Sequence, residues 1–373
     1  LRNHFWFSYD CAIKASCVAA ARVVKEPKIA AKPLYRRGPG AAPVVRLVDV
    51  ARVAGVSPIT VSRALREPGR VSPEMRARVE SAVAQTGYVP DLVASSLTRG
   101  RTRLVGIVVP TLTASIYAAT VAGLSETLRA RNFEALIGDS GYTLEGEEKL
   151  VAAFLGRRAD GLVLSNVEHA DRTRRILGRA GVPVVETGNL TDQPIDMVVG
   201  FSNEAAARAM LLHLVARGHR TIGFIGAPLA ANPQASDRRR AYDRIVKEHR
   251  LKSSATLAVE CPSEVGAGGD AIERIAHAHP DVSAVFAASE VRAIGALLRC
   301  QRRGWDVPGR IAIAGFNDTG LGEHLVPSLT TVRVPRRAIG ERSAQMILDR
   351  IEGRAIASPV VDLGYEIVVR ESA

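Results

Sequence analysis

From Leu104 onward the chain repeats one unit, a short and continuously apolar run followed by a stretch with helical spacing. The apolar runs are LVGIVV (104–109), EALIGD (134–139), GLVLS (161–165), PVVE (183–186), TIGFIG (221–226), AVFAA (284–288) and IAIAGF (311–316). Helical stretches fall between them at 115–130, 145–156, 203–217, 237–250, 289–303 and 336–352. A strand that is apolar on both faces has to be covered on both, which selects a parallel sheet wrapped by helices. There are too many strands for one compact mononucleotide-type sheet. Two linked α/β lobes with a cleft between them are therefore predicted, with any ligand beyond the C-terminal ends of the strands.

Residues 46–65, RLVDVARVAGVSPITVSRAL, follow a different rule: two short helices joined by a glycine turn. Val48, Val50, Ala51 and Ala54 supply the apolar face of the first helix, and Gly55 suits a left-handed break. Ser57 is the N-cap of the second helix and Pro58 its first residue, where a missing N–H costs nothing. Val61, Ala64 and Leu65 face inward at helical spacing, which leaves Ile59, Thr60, Ser62 and Arg63 for other faces. This is the helix-turn-helix pattern whose second helix lies in the major groove of DNA. Ser72 and Pro73 repeat the cap, and Met75, Val79, Ala82 and Val83 run to Gly87, so a third helix closes the headpiece over 46–90. Residues 91–103 read as a hinge helix and basic linker, too short to be stable alone.

Charge divides along the chain in the same way. Residues 1–103 hold 18 Lys+Arg against 7 Asp+Glu, which is +11 of the overall +12, and the other 270 residues are nearly neutral. A basic front on a neutral body is the footprint of a nucleic-acid binder with a second function, the bland alternative being a solvated tail. Residues 1–45 end in KEPKIAAKPLYRRGPGAAP, a basic Pro/Gly/Ala segment, and are expected to be disordered; the rival assignment is an arm adding phosphate contacts. The first residue is Leu, as in a fragment or a frame opened upstream. No apolar run approaches the roughly 20 residues that span a bilayer. With no signal-peptide layout, a cytoplasmic location is expected. Cys11, Cys17, Cys261 and Cys300 lack the spacing of a zinc site or disulfide framework, and no metal or cofactor is expected.

Over almost everything from Arg46 onward the sequence resembles the LacI/GalR transcription regulators, through DVARVAGVSPITVSRAL, VSPEMRARVESAVAQTGYVPDLVASSL, RTRLVGIVVP, RGHRTIGFIGAPL, VFAASE, IAIAGFND and PSLTTVRVP in that order. Within that family it is most similar to gluconate-utilisation repressors, through VVPTLTASIYAATVAGL, DSGYTLEGEE, IDMVVGFSNEAAARAM and CQRRGWDVPGRIAIAGF. The resemblance implies an all-α helix-turn-helix headpiece on a two-lobed, periplasmic-binding-protein-like (type I) α/β core with parallel sheets. The expected core is 104–373, with a first lobe at about 104–188 and 336–356 and a second at about 189–335 and 357–373. A homodimer gripping double-stranded operator DNA, and a small sugar or sugar acid between the lobes, are also implied.

Residue by residue, the resemblance points to Pro58, Ile59 and Arg63 as base readers, with Thr60 and Ser62 beside them. Arg63 can make the bidentate pair with guanine, or alternatively clamp a phosphate. Leu97 matches the leucine that family dimers wedge into the minor groove, with Ala94 packing beside it; the alternative is a plain apolar hinge face. Asp91 stands where many relatives have Asn. In the cleft, Arg238 matches an arginine used against ligand hydroxyls or carboxylate, the competing assignment being a surface charge run with Arg239 and Arg240. Glu290 stands, after Ser289, where most relatives have aspartate after asparagine. Tyr117 and His169 complete the expected effector set, with core tyrosine and structural histidine as their bland alternatives.

Catalysis is not expected. EVGAGGD follows no strand-to-helix turn, and neither a G-x-x-x-x-G-K-S/T nor a G-x-S-x-G is present. The remaining alternatives are a purine or phosphosugar effector on the same fold, or a sugar-binding protein or enzyme on similar lobes.

Overall fold

The computed structural model describes residues 45–89, 101–113, 115–229 and 232–373. Ala94 and Leu97, Asp91, and Cys11 and Cys17 lie outside the described residues. Backbone contacts divide the chain into one compact unit ending at Asp91 and a second from Leu92 to Ala373.

The first unit holds α1 (Leu47–Ala54), α2 (Pro58–Arg66) and α3 (Pro73–Thr86). Gly55 turns left-handed at φ 63, and Ser57 Oγ then accepts the Thr60 N–H at 3.1 Å to start α2. Ser72 Oγ accepts from Met75 N at 3.3 Å and starts α3 in the same way. Val50, Ala51, Ala54, Val61, Ala64, Val79 and Ala82 make the core, and Arg78 Nη2 ties α3 to the Ala54 carbonyl at 2.7 Å. Val48, expected on the inner face, is 45% exposed, and Leu47 packs inward instead. Positions 47, 50, 51 and 54 follow the i, i+3, i+4, i+7 rule that 48 breaks.

The second unit contains two six-stranded sheets. In the first, β1 (Leu104–Val109), β2 (Glu134–Asp139), β3 (Gly161–Leu164), β4 (Val184–Thr187), β5 (Met197–Gly200) and β11 (Val360–Asp362) run in the order β11-β5-β4-β3-β1-β2, all parallel. In the second, β6 (Ile222–Gly226), β7 (Ala258–Glu260), β8 (Ala284–Ala287), β9 (Ala312–Asn317), β10 (Thr330–Arg333) and β12 (Glu366–Val368) run in the order β12-β10-β9-β8-β6-β7. Here β12 is antiparallel to β10, an exception to the expected all-parallel arrangement. Helices α4 (Ala118–Arg129), α5 (Leu144–Gly156), α6 (Asp171–Ala180) and α11 (Arg336–Ile351) accompany the first sheet. Helices α7 (Asn203–Ala216), α8 (Pro233–Glu248), α9 (Val265–Ala278) and α10 (Glu290–Arg303) accompany the second.

The sheets correct the expected lobe limits. Both β5 and β11 belong to the first sheet, although 189–335 and 357–373 are assigned by sequence to the second lobe. The chain returns after β4 through a loop to pair β5 with β4, so the crossing to the second lobe comes only after Gly200. It crosses again between Arg333 and Arg336 and between Asp362 and Glu366.

Helix α9 is also unforeseen, since VGAGGD has poor helix propensity. Its glycines serve contact: a Cβ on Gly268 would lie 2.3 Å from Arg292 O, and one on Gly295 of α10 would lie 1.9 Å from Val265 O. Gly295→Ala is expected to lower stability by about 1–3 kcal/mol, the usual cost of overpacking. A urea midpoint equal to that of the parent would refute this tight fit.

Candidate DNA-reading helix and effector cleft

On α2, Val61 and Ala64 are buried while Ile59 is 72% exposed. Pro58 and Arg63 are exposed as well, and Thr60 and Ser62 are half-buried. Thr60 Oγ1 shares a 2.9 Å hydrogen bond with Ser57 Oγ, which fixes the first turn. One outer face thus carries an apolar side chain, hydroxyls and a guanidinium, the mixture that reads thymine methyls and guanine edges.

In the second unit, the first two lobe crossings surround a pair of phenylalanines. The rings of Phe201, just after β5, and Phe316, on β9, lie 6.3 Å apart between centroids. Arg238 of α8 lies over Phe316 at 4.9 Å, and Arg336, the first residue of α11, lies over Phe201 at 5.6 Å. Their polar contacts are to neutral groups. Arg238 Nη1 donates to Asn203 Oδ1 at 2.7 Å, and Arg336 Nη2 donates to Asn317 Oδ1 at 2.7 Å. Both arginines are buried, and among the described residues neither Nε has a hydrogen-bond partner. Asp237, next to Arg238 in sequence, is engaged by Asn189 Nδ2 and Arg240 Nη2. Burial and the nearby positive charge of Arg336 pull the Arg238 guanidinium down to about 10. Burial also lowers Arg336. Two buried cations without a matching carboxylate make a site that favours an anion.

Tyr117 closes this region from a 3-10 turn before α4. Its phenol is buried, paired with Tyr142 and pushed well above the usual range by burial. Arg292 lies nearby on α10; its Nε and Nη2 donate to the Cys261 carbonyl at 3.1 and 2.9 Å, and its Nη1 to Ser289 Oγ at 2.9 Å. Glu290 is saturated by the loop after β9. Its Oε2 accepts from Thr319 N at 2.8 Å and from the Thr319 hydroxyl, and its Oε1 accepts from Gly322 N at 3.0 Å.

His169 lies in a different setting, on the wall of a 420 Å³ cavity with Ser140, Tyr142, Ser165, Asn166 and Arg174. Pro233, the first residue of the helix that carries Arg238, also borders this cavity. The ring's Nδ1 meets Glu147 Oε1 at 2.7 Å and its Nε2 meets Glu186 Oε1 at 3.1 Å. Burial opposes charge on the ring, but the two carboxylates outweigh it and lift His169 to about 9. The carboxylates take opposite ring nitrogens, so they do not converge on one point. Among the described residues no group of three or more His, Cys, Asp and Glu side chains could hold a metal ion.

Structure therefore gathers Tyr117 and Arg238 around the crossings, sets His169 on the neighbouring cavity and ties Glu290 into a loop. Sequence reading missed Arg336, Asn203 and Asn317. A signal for Arg336 was present: a cation at the first residue of a helix opposes the helix dipole, so it is out of place on structural grounds.

A helix-turn-helix unit joined to a two-lobed α/β unit with a buried cationic cleft defines a DNA-binding regulator that senses a small ligand. Residues 46–91 match the lacI family of bacterial regulatory proteins, and residues 211–373 match the periplasmic binding protein-like domain. The HTH-type transcriptional regulator GntR of Pseudomonas aeruginosa is 35% identical over 328 residues, covering 87% of this chain and 95% of that protein. A crystal structure of a LacI-family transcriptional regulator from Silicibacter pomeroyi superposes with a TM-score of 0.81 at 30% identity, covering 88% of this chain and 99% of that one. The lac repressor dimer bound to operator and the anti-inducer ONPF gives a TM-score of 0.76 at 26% identity, covering 88% and 99%. The chain belongs to the LacI family of transcriptional regulators and is a DNA-binding protein, not an enzyme. No helix among the described residues is long and apolar enough to cross a membrane.

Proposed function

We propose that this regulator is a homodimeric repressor that reads a pseudo-palindromic operator and is controlled by a sugar acid of gluconate type held at the lobe crossings. The observation that carries this reading is the pair Arg238 and Arg336, each buried, each with an unused Nε–H and neither matched by a carboxylate among the described residues. A ligand carboxylate supplies the missing charge, and the guanidinium fork suits it geometrically. Tyr117 closes over it, and the cavity beside His169 takes the hydroxylated remainder. Glu290 acts by holding its loop.

On the DNA side, Arg63 takes a guanine, Pro58 and Ile59 meet apolar base edges, and Thr60 and Ser62 bond to phosphate or base. Leu97 wedges the central minor-groove step with Ala94 beside it. The effector shifts operator affinity by preferring one lobe angle, at a coupling of about 1–3 kcal/mol.

The test is thermal denaturation of the full chain with gluconate, glucose, glucose 6-phosphate or a purine base. Gluconate at a hundredfold excess over its Kd should add about 2.7 kcal/mol of stability and raise Tm, with no shift from neutral glucose. An equal shift from glucose, or one from the purine alone, would overturn the carboxylate assignment.

A further inference from the structure

In the first sheet the strands are parallel and the helices between them run back the other way, so every helix-to-strand turn falls on one edge of the lobe. The register shows that edge directly. Leu104 pairs with Glu134, Val105 with Gly161 and Leu162 with Val184, which puts the residues just before β1, β2, β3 and β4 side by side. Those residues and the helix ends beside them are rich in arginine: Arg103, Arg129, Arg157, Arg158 and Arg179. All five are exposed. Arg158 and Arg179 border the same surface hollow.

Neutralisation on this edge is incomplete. Arg131, Arg350 and Arg354 are ion-paired with Glu352, Asp196 and Asp349. Asp160 spends its carboxylate on the backbone N–H groups of Thr102 and Arg103, at 3.2 and 2.6 Å. Arg157 Nη1 donates to the Ala153 carbonyl of its own helix, and among the described residues Arg157 has no ion pair. Among the described residues, Arg103, Arg129, Arg158 and Arg179 have no ion pair. The opposite edge carries Asp139, Glu145, Glu168 and Asp171. Cations at helix C-termini complement the helix dipole, which explains one arginine per helix end. It does not explain the doublet Arg157–Arg158 or the addition of Arg103.

This is also the edge at which the chain enters the core: Thr102 Oγ1 donates to Arg158 O at 2.6 Å, and Glu134 N donates to Arg103 O at 2.8 Å. The segment before it, residues 90–100, spans at most about 40 Å even when fully extended. The headpiece is thus joined to the core in sequence at this edge, and the phosphates of a duplex are the polyanion that matches it in charge.

We infer that this arginine edge of the first lobe is a second DNA-contacting surface, one that binds backbone phosphates of the duplex flanking the operator. It adds affinity without reading sequence, because phosphate contacts carry no base information.

The test uses the full chain with Arg129, Arg157, Arg158 and Arg179 changed together to Gln, and in a second variant to Lys. The probe is the site that the parent selects from a random duplex library, either trimmed to the selected bases or extended on both sides. Each phosphate contact contributes about −0.9 to the slope of log K against log salt. On the extended duplex the Gln variant should therefore show a slope shallower by about 2–4, while the Lys variant keeps the parent slope. On the trimmed duplex all three proteins should agree. An unchanged slope for the Gln variant on the extended duplex overturns the inference. So does an equal loss on both duplexes, which would place the effect in the headpiece. Melting curves identify a variant that has failed to fold, and the four single Gln variants then replace it, each expected to lower the slope by up to about 0.9.

Discussion

Arg238→Ala is expected to abolish the response to a sugar-acid effector while operator affinity without effector stays at the parent level. Charge-assisted hydrogen bonds are worth about 1.5–3 kcal/mol each, so losing a two-bond grip on a carboxylate weakens binding by about a hundredfold or more. The ligand-free protein should suffer little. The substitution breaks the 2.7 Å bond to Asn203 but also removes one of two buried cations that repel each other. Replacing an uncompensated buried charge is often neutral or stabilising. Arg336→Ala should act in the same direction, and the double variant should cost less than the sum because both grip one ligand. Fluorescence anisotropy on labelled operator, with and without gluconate, measures the response, and melting curves measure stability. A variant at Arg238 that still releases operator on adding gluconate removes that residue from the site.

His169→Leu is expected to cost about 3–5 kcal/mol of folding stability, because it strands the carboxylates of Glu147 and Glu186 in the interior without their shared partner. Both are buried, and Glu186 also holds Ile195 N at 2.6 Å, so the damage reaches the β4–β5 loop. A pH signature separates this from simple loss of packing. The ring titrates near 6.5 when unfolded and near about 9 when folded. A raised folded value means the contribution is complete below about pH 6.5 and disappears as pH rises through about 9. Over that window the parent should lose roughly 3 kcal/mol, from a gap of about 2.5 pH units. Urea unfolding of the parent at intervals across this range should show the decline, and a parent profile that stays flat from about pH 6.5 to about 9 would mean that the ring carries no charge in the fold.

How much was legible in the sequence differs by element for physical reasons. The headpiece was readable because Ser57–Pro58, Ser72–Pro73, Gly55 and Gly87 mark its helix ends through backbone chemistry that needs no tertiary partner. Six of the seven apolar runs were readable because strands buried on both faces leave no polar interruption; the other, EALIGD, is the edge strand β2, whose Glu134, Ile137 and Asp139 are exposed. Strands β7, β11 and β12 span three residues each, and nothing local distinguishes them from loops, their pairing being set by distant strands; β5, MVVG, was missed although it is as long and as buried as β3, β4 and β8. Helix α6, DRTRRILGRA, carries its inward face on Thr173, Ile176, Leu177 and Ala180 among four arginines, and α9 depends on the close approach to α10 that its glycines permit. In the cleft, Arg238 was found by motif register. Arg336 was not, because its role depends on Phe201 from another crossing and on Asn317 at the end of β9.

The placement of α11 and β11 bears on how the protein can be made. The first lobe takes its edge strand Val360–Asp362 and a packed helix from the far end of the chain, after every strand of the second lobe except β12. During vectorial synthesis the ribosome therefore releases strands β1 to β5 long before their sheet can be completed, and Met197–Gly200 waits with an open flank. That interval is an aggregation hazard, and it makes the lobes one obligate folding unit: a product truncated before Arg336 lacks part of both.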